Sequence, residues 1–238
     1  MNYLVFEYVS KFYLYDYLMF GRLTERQAKL LFKKILNGVQ AIHNANICHK
    51  DITPENIIFE ENNNKHYNPK ISDFSLSCIN TNNLQEYIGN IHYLAPEIIA
   101  EQPYNGFQTD IFSLGQILFL LVTGKFGFYS SKANDPHYSL IRNHQFDIYW
   151  QREEFHNLNL SNEFKDLFVR MVAFNPNERP TIDGILNAPW MQEINNLNDA
   201  QLDALENEVR NALQNREAQI INQHNQVVQN GDNGNNNR

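Results

Sequence analysis

His49-Lys50-Asp51 is followed by Asn56 and later by Asp73, which places two carboxylates and one amide in loops flanking a single short hairpin. A hard divalent cation such as Mg2+, when it also holds phosphates, prefers one or two carboxylate or amide oxygens with water completing its shell. Asn56 and Asp73 can supply such oxygens, which leaves Asp51 available as a base.

The elements that must position these residues are legible on either side. The apolar runs Asn56 to Glu60 and Pro69 to Asp73, separated by the polar stretch Glu61 to Asn68, predict a β-hairpin with a long loop. Upstream, Thr24-Glu25-Arg26-Gln27 supplies a capping box, and Ala28, Leu31, Ile35, Val39 and Ile42 recur at helical spacing. Downstream, Asp110 opens a run that is apolar almost all round and stops at Gly124, the pattern of a helix buried at a domain centre. Further helices are predicted over Ser161 to Ala173 and Thr181 to Leu186, with Pro176 and Pro180 bounding the turn between them. At the start, Tyr3 to Val9 reads as a buried strand leading to a short helix around Tyr13 to Phe20. The globular part closes near Trp190. Residues 192–221 predict an appended helix whose narrow stripe, Leu202, Leu205, Val209 and Leu213, docks on the domain, meets a regulatory protein partner or is no more than part of a solvated helix, and 222–238 is an Asn/Gln-rich, disordered tail. The fold class is mainly α with small β-hairpins.

A chain of 238 residues with 42% hydrophobic and 13% aromatic content can bury one substantial core. A net charge of -8 argues against a surface that gathers the phosphates of nucleic acid. Cys48 and Cys78, the only cysteines, sit in apolar contexts, are too few for a disulfide scaffold and lack metal-ligand spacing, so a reducing, intracellular and cytoplasmic setting is expected. The N-terminus has no basic segment or cleavage pattern, and the longest apolar stretch, Ile111 to Val122, is short for a bilayer, so membrane insertion is not expected.

His49-Lys50-Asp51-Ile52-Thr53-Pro54-Glu55-Asn56 resembles the catalytic loop of protein kinases, and Asp73-Phe74-Ser75 their metal-binding triplet. Ala95-Pro96-Glu97 stands where the segment-closing Ala-Pro-Glu belongs, the run from Asp110 to Gly115 resembles the central-helix motif, and Asn175 to Pro180 the late arginine motif. The resemblance covers Tyr3 to Met191, taken as the kinase domain over 1–191, and is to the last small-lobe strand, the hinge and the C-terminal lobe. Pro54-Glu55-Asn56 marks the serine/threonine type, and Leu84 to Asn90 with Asn187 to Trp190 are nearest the calcium/calmodulin-dependent group.

That resemblance implies an enzyme transferring the γ-phosphate of ATP, with Mg2+, to hydroxyls of protein substrates. It implies that Asp51 orients the substrate hydroxyl, that Asn56 and Asp73 hold the metal, that the backbone of Glu7 and Val9 meets adenine and that Ile58 floors its pocket. It further implies that Asp110 braces the catalytic-loop backbone, that Glu97 and Arg179 form a buried ion pair, and that His49 stacks beneath Phe74 in a structural role. Glu55 matches a position that meets substrate arginine.

Several positions depart from the family. Thr53 replaces a lysine that touches the transferring phosphate, Asn90 replaces the threonine after Gly89, and these two side chains can hydrogen-bond each other. Ser75 replaces a glycine and restricts the backbone. Lys50 replaces an arginine and is a poorer bidentate partner. Glu86 stands where many relatives carry an activating phosphothreonine, and is expected to pair with Lys50 and hold the segment without phosphorylation. No Gly-rich loop, strand lysine or helix glutamate stands ahead of Tyr3. Two readings follow: a piece of a longer kinase, or a pseudokinase or lobe-only scaffold that binds partners without phosphotransfer. A metal-dependent phosphohydrolase accounts for the oxygen ligands but for none of the later motifs.

Overall fold

The computed structural model describes residues 12–61, 67–79 and 81–235, so the opening strand, with Glu7 and Val9, lies outside the described residues. Helices Leu14–Leu18 (α1) and Glu25–Asn44 (α2) precede an antiparallel ribbon of Ile57–Glu61 (β1) and Tyr67–Ile71 (β2). Pro96–Ile99 (α3), Gly106–Thr123 (α4), Tyr138–Arg142 (α5), Phe146–Trp150 (α6), Asn162–Met171 (α7), Ile182–Leu186 (α8), Gln192–Asn195 (α9) and Asp199–Asn235 (α10) follow. The chain is thus mainly α with one small β-ribbon among the described residues.

The capping box forms: the Thr24 hydroxyl accepts from the Gln27 amide at 3.3 Å, and the Gln27 side chain accepts from the Thr24 amide at 3.2 Å. Two donors left over at the helix start are thereby satisfied. Glu25, one residue on, accepts from the Ser161 amide and hydroxyl and from Trp190 Nε1 at 2.7 to 3.0 Å, which ties the starts of α2 and α7 to the buried Trp190. The ribbon pairs Ile57 with Ile71 and Phe59 with Pro69, so Ile57 and Phe59 are buried while Ile58 on the opposite face is only partly covered.

α4 begins at Gly106 rather than at Asp110. Asn105 is the cap, its side chain accepting from the Gln108 amide at 3.2 Å, and Asp110 lies a turn inside with both carboxylate oxygens committed to other partners. Gly124, at φ 70°, ends the helix in the left-handed conformation that glycine adopts at least cost. The 18 residues of α4 are long and apolar enough to cross a bilayer, contrary to the shorter stretch read from the sequence. However, 89% of that window is buried inside the lobe, where α4 is the central core helix.

The stripe on α10 docks on the lobe. Leu205, Val209 and Leu213 are buried in the main core, flanked by Lys34 on Glu206 at 2.7 Å and Arg26 on Glu208 at 3.2 Å. The Tyr67 hydroxyl donates to Glu217 at 2.7 Å and Arg216 donates to the Arg22 carbonyl at 2.7 Å. The core therefore does not close at Trp190, and the helix continues past 221 to Asn235 instead of giving way to an irregular tail. Residues 222–235 carry no proline, and each residue added to a helix already nucleated gains a hydrogen bond.

Candidate active site

The catalytic loop is built on hydrogen bonds from its own backbone. Pro54–Asn56 forms one 3₁₀ turn that brings Asn56 back onto Asp51, and its side-chain amide donates to the Asp51 carbonyl at 2.9 Å and to the Asp51 carboxylate at 2.8 Å. The amide nitrogen is thereby spent, and among the described residues Asn56 Oδ1 accepts no hydrogen bond. The Asn56 carbonyl accepts from the Ser72 amide at 2.9 Å and hydroxyl at 3.1 Å, which joins this loop to the residue preceding Asp73.

His49 completes the link. Its Nε2 faces the Ser72 carbonyl at 3.0 Å, which can only accept, and its Nδ1 faces the Asp51 amide at 3.3 Å, which can only donate. These partners select the neutral tautomer with the proton on Nε2 and use both ring nitrogens, so the imidazole is a fully buried strut. It does not stack beneath Phe74: the rings meet edge to face, 5.0 Å apart at 64°, and Phe74 is 41% exposed. The edge-on arrangement suits the opposed quadrupoles of the two rings.

Asp110 receives the His49 amide and the Lys50 amide, each at 2.8 Å, and the His43 ring at 2.9 Å. Lys50 has φ 66°, an uncommon conformation for a residue with a Cβ, and the two charge-assisted bonds to Asp110 offset that strain. Asp73 also has positive φ, 58°, and is exposed. Ser75 donates to it, at 3.2 Å from the amide, and this hydrogen bonding lowers the carboxyl pKa below its ordinary value and favours the charged form. Gly89, at φ 113°, passes close by: a Cβ there would meet the Lys50 carbonyl at 3.3 Å and Leu94 Cδ2 at 2.9 Å. Farther along, Arg179 holds Glu97 with two bonds of 2.7 and 2.8 Å and donates to the carbonyls of Ala173 and Gln108.

The sequence profile described as "Protein kinase domain" matches residues 1–191. The chain belongs to the protein kinase family. Among curated relatives, the probable serine/threonine-protein kinase HSL1 of Saccharomyces cerevisiae is 36% identical over 198 residues, 82% of this chain and 12% of the relative. The mitosis inducer protein kinase cdr1 of Schizosaccharomyces pombe is 33% identical over 79% of this chain and 30% of its own length. The serine/threonine-protein kinase kin-29 of Caenorhabditis elegans is 34% identical over 80% of this chain and 22% of its own length. The serine/threonine type, nearest the calcium/calmodulin-dependent group, agrees with these relatives. The chain spans between 12% and 30% of the length of these relatives.

Within this kinase chain, the departures from the family pattern fall at the rim of the site. Thr53 is buried, and Asn90 spends its side-chain oxygen on the His92 amide at 3.1 Å. Thr53 and Asn90 therefore make no hydrogen bond with each other among the described residues, because the turn after Gly89 satisfies Asn90 locally. Lys50 Nζ lies 4.0 Å from Glu86, the outer limit of an ion pair. Ile58 is half-buried on the ribbon and bridges to Tyr13.

Sequence reasoning missed the residues that hang the segment 92–94 on the core. Gln116 donates to the carbonyls of His92 and Phe128 at 3.0 and 3.1 Å, Ser113 to that of Tyr93 at 3.0 Å, and Ser131 to that of Leu94 at 2.6 Å. Asp135, also buried, accepts from the amides of Tyr129, Ser130, His137 and Tyr138. The available signal was Ser113 and Gln116 standing in an otherwise apolar helix, since a polar side chain in such a place requires a partner.

Proposed function

We propose that this chain is the large lobe of a protein serine/threonine kinase that transfers the ATP γ-phosphate to hydroxyls of protein substrates. The observation that carries the reading is the pairing of Asn56 with Asp51. With its nitrogen spent on Asp51, Asn56 keeps an amide oxygen for a cation, and it is joined through Ser72 to the ionised Asp73. An amide oxygen and a carboxylate are the donor set that Mg2+ takes when phosphates and water complete its shell, and no group of three or more His, Cys, Asp or Glu side chains among the described residues could hold a metal alone. When bound, Mg2+ would neutralise phosphate charge and fix the nucleotide's orientation.

Asp51 has one carboxylate oxygen bonded to Asn56, which fixes its rotamer and leaves the other to accept a proton from a substrate hydroxyl. His49 is not that base, because both its nitrogens are occupied. Ile58, with Glu7 and Val9, belongs to the proposed adenine site, and Glu55, exposed at the turn before Asn56, to the proposed peptide site. We include in the reading that Glu86 steadies the activation segment against Lys50 without phosphorylation. The 4.0 Å separation supports it, as do the Leu84–Tyr104 bridge and the Tyr104 hydroxyl donating to the Glu86 carbonyl at 3.1 Å. A cytoplasmic location belongs to the same proposal, motivated by two cysteines kept as thiols.

The test is phosphotransfer from Mg-ATP by the natural full-length polypeptide, with Asp51→Asn alongside. A loss of roughly 10²–10⁴-fold in kcat with folding intact is expected for removal of such a group. Undiminished transfer by Asp51→Asn would remove Asp51 from the mechanism. No transfer by the unaltered protein would favour the scaffold reading.

A further inference from the structure

Cys48 immediately precedes the catalytic loop, and Cys78 lies five residues beyond Asp73. The two residues form an isolated antiparallel bridge and exchange both backbone hydrogen bonds, at 3.0 and 3.1 Å, and their sulfurs stand 3.3 Å apart. A pair that exchanges both bonds has a Cα separation of about 5.5 Å, within the range that disulfides prefer. To reach a covalent length of about 2.05 Å the sulfurs need only approach each other, with no change in strand pairing.

The surroundings are built for this contact. A Cβ on Gly106 would sit 2.4 Å from Cys48 Sγ, so the first residue of α4 must be glycine for the thiol to occupy its place. Leu84, Leu94, Ile98 and Tyr104 form an apolar cluster with Cys48, and Cys78 packs against it at its more accessible side. We propose that Cys48 and Cys78 are a redox modification site that closes to a reversible disulfide on exposure to hydrogen peroxide or a peroxide of its class, clamping the start of the activation segment to the residue just before the catalytic loop. The proposal does not depend on phosphotransfer.

The order of events follows from exposure. Cys48 is fully buried, and burial, with the hydrogen bond to Cys78 next, pushes its pKa up to about 12, which disfavours the thiolate needed to attack a peroxide. Cys78 reacts first: its thiol gives up its proton, the thiolate sulfur attacks one peroxide oxygen, the O–O bond breaks, and the departing hydroxide takes up that proton, so that Cys78 sulfenic acid and water result. Cys48 sulfur then attacks Cys78 sulfur, the S–S bond forms, the S–O bond breaks, and the departing hydroxide takes the Cys48 proton as a second water. Two thiols are oxidised and one peroxide is reduced. The low thiolate content of Cys48 makes the second step the slow one.

Because the chain holds no other cysteine, the test reads without ambiguity. The folded full chain is treated with a small excess of hydrogen peroxide and followed by intact mass, thiol titration and non-reducing peptide mapping. The expected result is monomeric protein lighter by two hydrogens, no titratable thiol, a Cys48–Cys78 cross-linked peptide, slowed amide exchange over 76–79, and full reversal by dithiothreitol. Cys78→Ser should leave Cys48 unreactive in the folded state, and Cys48→Ala should trap the sulfenic acid at Cys78. The proposal is overturned if the native thiols persist and react only after denaturation, if the product is sulfinic acid or a disulfide between two chains, or if Cys48 in Cys78→Ser oxidises as fast as Cys78 does in Cys48→Ala.

Discussion

Arg179 grips Glu97 with two bonds of 2.7 and 2.8 Å where both side chains are buried, whereas Lys50 reaches Glu86 only at 4.0 Å and that carboxylate is 54% exposed. Both pairs involve the segment after Asp73, and both are an acid facing a base. Their surroundings separate them. Inside the lobe the guanidinium is also satisfied by the carbonyls of Ala173 and Gln108 and lies over Phe112, so removal of either partner strands a desolvated charge. At the rim, water can replace what the exposed Glu86 loses, while the Lys50 side chain itself is only 5% exposed. The comparison teaches that the activation segment is anchored firmly at its closing end and lightly near its middle.

The sharpest way to break that contrast is Glu97→Gln, which leaves Arg179 buried without its counter-charge. It should cost about 3–5 kcal/mol in denaturant unfolding, and replacing both partners by apolar residues should recover much of the loss. A cost under about 1 kcal/mol would mean that the closing end is no better anchored than the middle.

Asp110→Asn comes next, because one acceptor must then serve the amides of His49 and Lys50 while an NH2 group faces a donor. A loss of about 1.5–3 kcal/mol is expected, the range for hydrogen bonds to a charged group, together with reduced phosphotransfer as Lys50 leaves its strained conformation. Unchanged stability would show that the backbone of the loop holds itself.

At the rim, a double-mutant cycle on Lys50→Ala and Glu86→Ala should give a coupling below about 1 kcal/mol that fades with added salt. No coupling at low salt would sink the idea that Glu86 steadies the segment. The smallest effect concerns Ser75→Gly, which removes the hydroxyl but keeps the backbone donor. The Asp73 pKa, followed by NMR titration, should rise toward its ordinary value near 3.8. As the folded value is depressed, the contribution of this group is present above the unfolded pKa and lost as pH falls through the folded one, so Ser75→Gly should be less stable than the parent at neutral pH and the difference should vanish in acid. A shift of the Asp73 pKa in the opposite direction would place the stabilising contact elsewhere.

Much of this was legible in the residues themselves. Thr24-Glu25-Arg26-Gln27 announced its helix because a capping box closes within one turn, and Ser161 and Thr181 cap helices close to where the periodicity starts. Asp110 misled as a helix start because an acid before an apolar run has the appearance of a cap, while its real partners lie some sixty residues upstream. Ser113, Gln116 and Ser131 went unnoticed for a similar reason: their acceptors are carbonyls of a loop brought up by folding, and a carbonyl carries no sequence signature.

The sequence alone determined the chemistry-bearing residues, the order of the elements and most helix limits, since these depend on residue type, on spacing and on hydrogen bonds that close within a few residues. Only the tertiary structure decided that Asn56 turns its nitrogen onto Asp51, that α10 completes the core instead of trailing from it, and that the two cysteines meet. Those outcomes depend on which surfaces the whole chain buries together. A local pattern shows that an apolar stripe or a polar side chain needs a partner, but the partner is selected by packing across distant parts of the chain.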